Sequence, residues 1–252
     1  MFEIFILSIV QGVTEFVPIS SSSHLIIISD FINFENKSLS IDVSLHLGSF
    51  FAVLTYFRKD IFNFVNNRDL LYKILVSSIP VIIAGFILVQ TGFIESLRKI
   101  EIIGWATLIF GLLLYYSDRF KLEKNIESSF NFKSALFVGL LQIFSLIPGV
   151  SRSGVTITAA RLLKFKRYDA AKISFLLSIP TLGAVSLYGL RNVIISEDFN
   201  FSMLNISSIF FSFLFSIITI KFFLVYVKKF SLTFFVIYRI ILGLFLLFIA
   251  YL

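Results

Sequence analysis

Six apolar stretches, separated by polar and charged connections, constrain this chain more than any other feature of its sequence. They cover residues 39–57, 70–90, 100–116, 171–190, 204–226 and 233–252, and each is close to the roughly 20 residues that a helix needs to cross a bilayer. Hydrophobic residues make up 58% of the 252 residues, and 33 are Phe, which is more apolar surface than a soluble core of this size encloses. The sequence therefore predicts an all-α polytopic membrane protein with six spanning helices.

Two further apolar segments, Phe2–Asn33 and Phe132–Leu163, are broken in the middle. Each contains a Pro and a run rich in Ser, flanked by apolar stretches that are too short to cross a membrane. Irregular backbone at membrane depth is tolerated only where protein or a water-filled cavity surrounds it, so each break predicts a buried polar site. We expect each segment to form a re-entrant helix pair, which enters and leaves on one side.

The two broken segments resemble each other, which indicates an internal duplication. QGVTEFVPISSSSHL aligns without gaps with QIFSLIPGVSRSGVT, and the identical pairs are Gln11 with Gln142, Ser20 with Ser151 and Ser22 with Ser153. We therefore expect a single membrane domain, residues 1–252, built from repeat one, residues 1–120, and repeat two, residues 132–252. Each repeat contains three spans, an odd number, so the second repeat is expected to enter the membrane inverted relative to the first.

The net charge of +7 lies mainly in the connections between the apolar stretches. If the spans alternate in direction, the Lys and Arg residues within 58–73, 119–133, 164–172 and 228–229 fall on one side, which the positive-inside rule makes cytoplasmic. This placement is a topology signal and argues against a nucleic-acid partner. The chain contains no Cys, so disulfides and Cys-ligated metals are excluded.

The first break places several reactive groups close together. Gln11 and Glu15 are four residues apart and share one helix face, and a carboxylate in an apolar segment requires a partner or a cavity. Pro18 interrupts the helix, and Ser20–Ser23 stand where the next helix begins. The unpaired N–H groups of a helix N-terminus suit a phosphate. His24, just inside that helix, is placed to take or give a proton.

The second break repeats this design and adds a cation. After Pro148, the residues Ser151, Arg152 and Ser153 precede a helix that carries Thr156. A guanidinium inside a membrane requires an anion, and its planar fork matches two phosphate oxygens. Together the two breaks predict an anion site with acid–base capacity.

Each of these residues also has a purely structural interpretation. Ser20–Ser23 could be ordinary N-caps, and His24 could be an interface histidine. Glu15 could serve only as the ion-pair partner of Arg152. His46, inside the first span, could be a packed polar residue or a functional one. The occurrence of the constellation at matched positions of both repeats favours a functional site.

The motifs QGVTEFVPISSSSH and PGVSRSGVT resemble the two signatures of the bacterial undecaprenyl pyrophosphate phosphatases, a family also known for bacitracin resistance. The resemblance continues through SIDVSLHLGSFFAVL, FLLSIP and the C-terminal tail, so it covers nearly the whole chain. It implies an integral-membrane enzyme that hydrolyses undecaprenyl diphosphate to the monophosphate, the lipid carrier of peptidoglycan precursors. It also implies a place in the bacterial cytoplasmic membrane, with the active site open to the outer, periplasmic side.

The resemblance further implies a divalent cation, Mg²⁺ or Ca²⁺, and roles for individual residues. We expect a nucleophile at Ser21, acid–base chemistry at His24, and a catalytic carboxylate and metal ligand at Glu15. The remaining expected site residues are Arg152 as a catalytic phosphate binder, the phosphate-binding Ser20, Ser22, Ser151, Ser153 and Thr156, and the supporting Gln11 and His46.

One departure from the family pattern concerns Gln11, because many members have Glu there. Gln cannot ionise, so a role in metal binding or proton transfer weakens, whereas hydrogen bonding survives. The sequence leaves open whether Ser21 or a water attacks the phosphate, and whether the chain forms a homodimer. A transporter or lipid flippase is an alternative, because inverted repeats with broken helices are transporter architecture. A non-catalytic binder of the lipid carrier is another.

Overall fold

The computed structural model describes residues 2–31, 38–64, 68–195 and 202–252. The helices are α1 (Phe2–Thr14), α2 (Ser21–Phe31), α3 (Leu39–Tyr56), α4 (Arg58–Asn63), α5 (Arg68–Gln90), α6 (Phe93–Ser96), α7 (Ile100–Asp118), α8 (Ile126–Ser129), α9 (Phe132–Gln142), α10 (Arg152–Leu162), α11 (Arg167–Ile195), α12 (Met203–Lys229) and α13 (Thr233–Tyr251), with a 3-10 turn at Ile143–Leu146. No strand occurs within these described ranges, so the all-α prediction is confirmed.

Six of these helices, α3, α5, α7, α11, α12 and α13, are long and apolar enough to cross a membrane. This confirms the predicted number of spans. The largest difference is at α11, which begins at Arg167 and not at residue 171, and ends at Ile195 and not at residue 190. Its first turn is held by the neighbouring connection, because the Asp169 carboxylate accepts a hydrogen bond from Ile126 N at 3.2 Å.

The halves of the broken segments are short. The longest of the four helices, α1, has 13 residues and spans roughly 20 Å, against a hydrocarbon core of about 30 Å. Phe130, just before α9, packs on Phe165, just after α10, so both ends of this segment lie together. At the same end of α9, Lys73 Nζ of α5 lies over the Phe132 ring. This arrangement fits the predicted re-entrant pair.

The first broken segment is arranged in the same way. Ile4 near the start of α1 and Ile28 near the end of α2 join one apolar cluster. Ile41 from the beginning of α3 and Leu204 from the beginning of α12 belong to the same cluster. Both ends of α1–α2 therefore lie at the end of the bundle where α3 and α12 begin. The predicted end of this segment at Asn33 is outside the described residues.

The basic connections meet at the opposite end of the bundle. Lys172 pairs with Asp60 at 2.7 Å, and Arg167 Nε pairs with Asp118 at 2.6 Å. Asp118 also accepts a hydrogen bond from Leu232 N at 3.0 Å, which adds the connection between α12 and α13. These contacts place connections from both repeats on one face, as the charge pattern predicts.

Helix packing follows the proposed repeat relationship. In the repeat relationship α1 corresponds to α9, α3 to α11 and α5 to α12. Helix α12 packs against α1 and α3, and its counterpart α5 packs against their counterparts α9 and α11. Helix α7 packs on its counterpart α13, and α3 on its counterpart α11. Close approach depends on small residues, because a Cβ at Gly48 of α3 would lie 2.5 Å from Ile209 O of α12. The pattern fits an inverted repeat.

Candidate active site

Both breaks open onto one cavity of about 390 Å³. The first break contributes Glu15 and Ser20–Ser22 to its wall, and the second contributes Pro148, Ser151 and Arg152. His46 of α3 and Gln142 of α9 add further polar groups. The apolar part of the wall consists of Leu25, Val81, Ile94, Leu146, Leu182 and Val185. The cavity thus combines a polar pole with an apolar surface suited to lipid.

The chain turns at matched serines in the two breaks. Ser20 and Ser151 have φ angles of 77° and 68°, a left-handed region that non-glycine residues seldom adopt. Ser151 is a true N-cap, because its Oγ accepts a hydrogen bond from Gly154 N at 3.1 Å. Ser20 Oγ instead accepts one from Gly149 N at 3.3 Å, and so links the two breaks. Helices α2 and α10 consequently begin at the cavity, where their N-termini favour an anion.

Glu15 is the centre of the hydrogen-bonded cluster. Its Oε1 pairs with Arg152 at 2.6 Å, and its Oε2 accepts hydrogen bonds from Ser21 Oγ at 2.8 Å and Gln11 Nε2 at 3.2 Å. The Glu15 side chain is 6% exposed and that of Arg152 is 13% exposed. A carboxylate buried to this degree requires such partners, and the ion pair joins the two breaks directly.

Gln11 extends the cluster into helix α3. Its amide nitrogen also faces His46 Nδ1 at 3.1 Å and Ser49 Oγ at 3.4 Å. Because an amide N–H can only donate, His46 Nδ1 accepts and the imidazole proton is on Nε2. Of the two supporting residues of the sequence analysis, Gln11 therefore contacts Glu15 directly, and His46 joins the cluster through Gln11.

His24 lies beside the cluster and bonds to other groups. Its Nδ1 donates to Ser20 O at 2.6 Å, so its Nε2 accepts a hydrogen bond from the Tyr238 hydroxyl at 2.5 Å. The Ser21 hydroxyl donates to Glu15 and not to His24. The group placed to accept the Ser21 proton in this structure is consequently the Glu15 carboxylate.

The other predicted phosphate-binding residues divide into two groups. Ser20, Ser22 and Ser151 line the cavity, and of these three only Ser22 is exposed. Ser153 is buried and donates to Val17 O at 2.9 Å, and Thr156 donates to Ser174 Oγ at 2.7 Å. Ser153 and Thr156 therefore fix the position of the α10 N-terminus.

Arg239 of α13 is a buried cation that the sequence analysis does not single out. It is fully buried and donates to the backbone of both breaks, with Pro18 O at 3.2 Å, Gly149 O at 2.9 Å and Val150 O at 3.0 Å. It also reaches Thr107 O at 3.2 Å. A sequence signal exists, because an ionisable residue in the middle of a strongly apolar span indicates a buried polar partner.

The donor set for a divalent cation is small. Among the described residues, no group of three or more His, Asp or Glu side chains could hold a metal ion. Glu15 is the one predicted ligand, and its oxygens already face Arg152, Ser21 and Gln11. Mg²⁺ is commonly held by one or two carboxylates together with substrate phosphates. The residues fit a cation only if the substrate supplies most of the ligands.

Known proteins resemble this chain over its full length. The family model described as Bacitracin resistance protein BacA matches residues 4–245. A protein of Pelagibacter ubique named Undecaprenyl-diphosphatase is 52% identical over 250 residues, covering 99% of this chain and 97% of that protein. A protein of the same name from Jannaschia sp. is 39% identical over 264 residues, covering 100% of this chain and 99% of that protein.

Proposed function

Because this chain belongs to the bacitracin resistance protein BacA family, we propose that it is an integral-membrane phosphatase that hydrolyses undecaprenyl diphosphate. The products are undecaprenyl phosphate and inorganic phosphate. This hydrolysis returns the lipid carrier to peptidoglycan synthesis and confers bacitracin resistance. One observation carries the proposal. The Glu15–Arg152 pair and the N-termini of α2 and α10 converge on a cavity that also has an apolar wall.

Substrate binding begins with an exchange of partners at Arg152. In the structure its Nη2 is occupied by the Glu15 carboxylate at 2.6 Å, which stands where an anionic phosphate oxygen would bind. A diphosphate brings more negative charge than one carboxylate, and the two helix N-termini add to its stabilisation. Binding therefore draws Arg152 toward the phosphate and frees Glu15 Oε1.

The chemical step uses the Ser21–Glu15 hydrogen bond. Ser21 Oγ attacks the terminal phosphorus while its proton passes to Glu15 Oε2, 2.8 Å away. The bond between that phosphorus and the bridging oxygen breaks, and undecaprenyl phosphate leaves with the electron pair. Glu15 gives up this proton to the departing phosphate or to solvent, and the same carboxylate then takes a proton from a water molecule that attacks the seryl phosphorus. The bond between phosphorus and Ser21 Oγ breaks, inorganic phosphate leaves, and Glu15 returns the proton to Ser21. Arg152 stabilises the charge on the transferred phosphoryl group throughout.

A divalent cation, Mg²⁺ or Ca²⁺, belongs to this proposal as a ligand shared with the substrate. Glu15 would hold it together with diphosphate oxygens, and a bound cation supplies neutralisation of phosphate charge. Gln11 contributes no charge to the cation and keeps its amide directed at Glu15.

We propose that the cavity opens to the periplasmic side of the cytoplasmic membrane. Its wall includes Ile94 and Arg98, from the connection between α5 and α7, and this connection lies at the end of α5 away from the basic face. The basic face is cytoplasmic by the positive-inside rule.

Phosphate release from undecaprenyl diphosphate by the purified protein tests the function. Arg152→Ala is expected to lower kcat/KM by at least about 100-fold, because the buried phosphate loses its cation. Arg58→Ala, an exposed cation on α4, is the matched control and should retain activity. Wild-type protein that releases no phosphate would refute the proposal.

A separate measurement tests the nucleophile. Acid quenching during turnover is expected to trap phosphate on Ser21, and Ser21→Ala should abolish both the adduct and turnover. Ser128→Ala, an exposed serine of α8, controls for the substitution. An active Ser21→Ala protein would instead support direct attack by water, and would leave the phosphatase activity intact.

A further inference from the structure

Gln142 is the buried polar residue of the cavity for which the proposed mechanism has no use. It is the last residue of α9, its exposed fraction is 0%, and its side chain lines the cavity. Neither its Oε1 nor its Nε2 has a hydrogen-bond partner within the described part of the chain. Two unpaired polar atoms in one buried amide are unusual, since native proteins pair most such atoms.

Gln11, the counterpart of Gln142 in the first repeat, also has an unpaired amide oxygen, and the two residues differ at the amide nitrogen. The amide nitrogen of Gln11 bonds to Glu15, and it also faces His46 and Ser49. Gln11 is therefore committed to holding the catalytic carboxylate. The same residue type at the matched position of the second repeat keeps its amide available.

The chemistry of the cavity indicates which ligand meets this amide. A buried amide without hydrogen bonds destabilises a protein, so an apolar residue would be the more stable choice unless a partner arrives. The Glu15–Arg152 pair and the two helix N-termini prepare the same cavity for phosphate. A diphosphate carries several non-bridging oxygens, more than Arg152 alone can bind.

We propose that Gln142 binds the diphosphate headgroup of the lipid substrate by donating its amide N–H to a non-bridging phosphate oxygen. This inference rests on the proposed function. Because a side-chain amide does not ionise near neutral pH, Gln142 positions the headgroup and takes no part in proton transfer. Its loss should therefore raise KM and leave kcat and the pH profile unchanged.

The test compares Gln142→Met with the wild type as full-length purified proteins in detergent. The variant is expected to raise KM for undecaprenyl diphosphate by about 10- to 100-fold, the usual effect of one lost hydrogen bond to a charged group. Its kcat should stay within about twofold, and its ligand-free Tm should be equal to or higher than that of the wild type, since the unpaired amide is gone. Leu140→Met, at an exposed position of the same helix, is the control and should leave KM, kcat and Tm unchanged.

Thermal shift separates the possible failures. Added undecaprenyl diphosphate should raise the Tm of the wild type more than that of Gln142→Met. An active wild type with an unchanged KM in Gln142→Met would overturn the inference and leave the proposed function standing. A lower ligand-free Tm in the variant would assign Gln142 a structural role and would also overturn it. A wild type that is stabilised by the lipid without hydrolysing it would refute only the phosphatase, provided that Gln142→Met loses the stabilisation.

Discussion

Replacing Arg239 by Met should uncouple the two breaks, because this side chain is their common hydrogen-bond donor. The guanidinium donates to Pro18 O of the first break and to Gly149 O and Val150 O of the second. Met keeps a similar length and apolar stem but donates nothing. The breaks would then be joined by the Glu15–Arg152 pair and by two hydrogen bonds, Gly149 N to Ser20 Oγ and Ser153 Oγ to Val17 O.

The size of the effect follows from which carbonyls lose their donor. Gly149 O keeps a second donor in Thr107 Oγ1 at 3.4 Å. Among the described residues, Pro18 O and Val150 O have Arg239 as their hydrogen-bond donor and no other. A buried polar group left unsatisfied costs about 1–3 kcal/mol, so the two together amount to about 2–6 kcal/mol. That is a large part of a typical stability of about 5–15 kcal/mol.

Thermal or denaturant unfolding in detergent, measured beside phosphate release, gives the result. We expect Arg239→Met to be destabilised by about 2–6 kcal/mol and to lose activity even below its Tm, because the helix N-termini no longer face a common point. Arg58→Met on the exposed α4 surface is the control and should stay within about 0.5 kcal/mol of the wild type. An Arg239→Met protein as stable and active as its control would refute the reasoning.

Two further predictions concern the contacts of single side chains. Gln11→Glu would place a second carboxylate beside Glu15, where the amide nitrogen now lies at 3.2 Å, so the variant should be less stable than the wild type in EDTA and should recover with Mg²⁺ in a Tm measurement. A Tm unaffected by the cation would contradict this. Gly48→Ala should lower Tm because its Cβ would lie 2.5 Å from Ile209 O, whereas Gly183→Ala meets only the Phe50 ring at 3.4 Å and should be neutral or stabilising. Equal Tm values for the two Ala variants would argue against the close packing of α3 on α12.

The spans could be predicted from the sequence because lipid imposes a simple requirement on them. Each needs about 20 apolar residues, and the ends of α3, α7 and α13 lie within two residues of the expectation. The extra length of α11 could not be predicted in the same way. Its first turn lies among polar connections, and its stability depends on the contact between Asp169 and Ile126, which are distant in sequence.

The composition of the site was predictable, but its pairing was not. Proline, serine and charge at two matched breaks identify the residues that meet, including Glu15 and Arg152. The family resemblance implies a nucleophile at Ser21 and acid–base chemistry at His24, two residues that are three positions apart. The structure instead turns His24 toward Tyr238 of α13 and Ser21 toward Glu15. Such a choice depends on the position of helices far apart in the chain.

The difference between the two breaks explains why a duplicated motif can form one site. Ser21 and Arg152 occupy matched positions, since each follows the positive-φ serine and opens its helix. Both side chains reach the same carboxylate, Ser21 at Oε2 and Arg152 at Oε1. Glu15 itself has an apolar counterpart, Leu146, on the wall of the cavity. Two identical breaks would offer two hydroxyls or two cations. In the proposed mechanism, the divergence supplies a nucleophile from one helix start, a phosphate-binding cation from the other, and a single base between them.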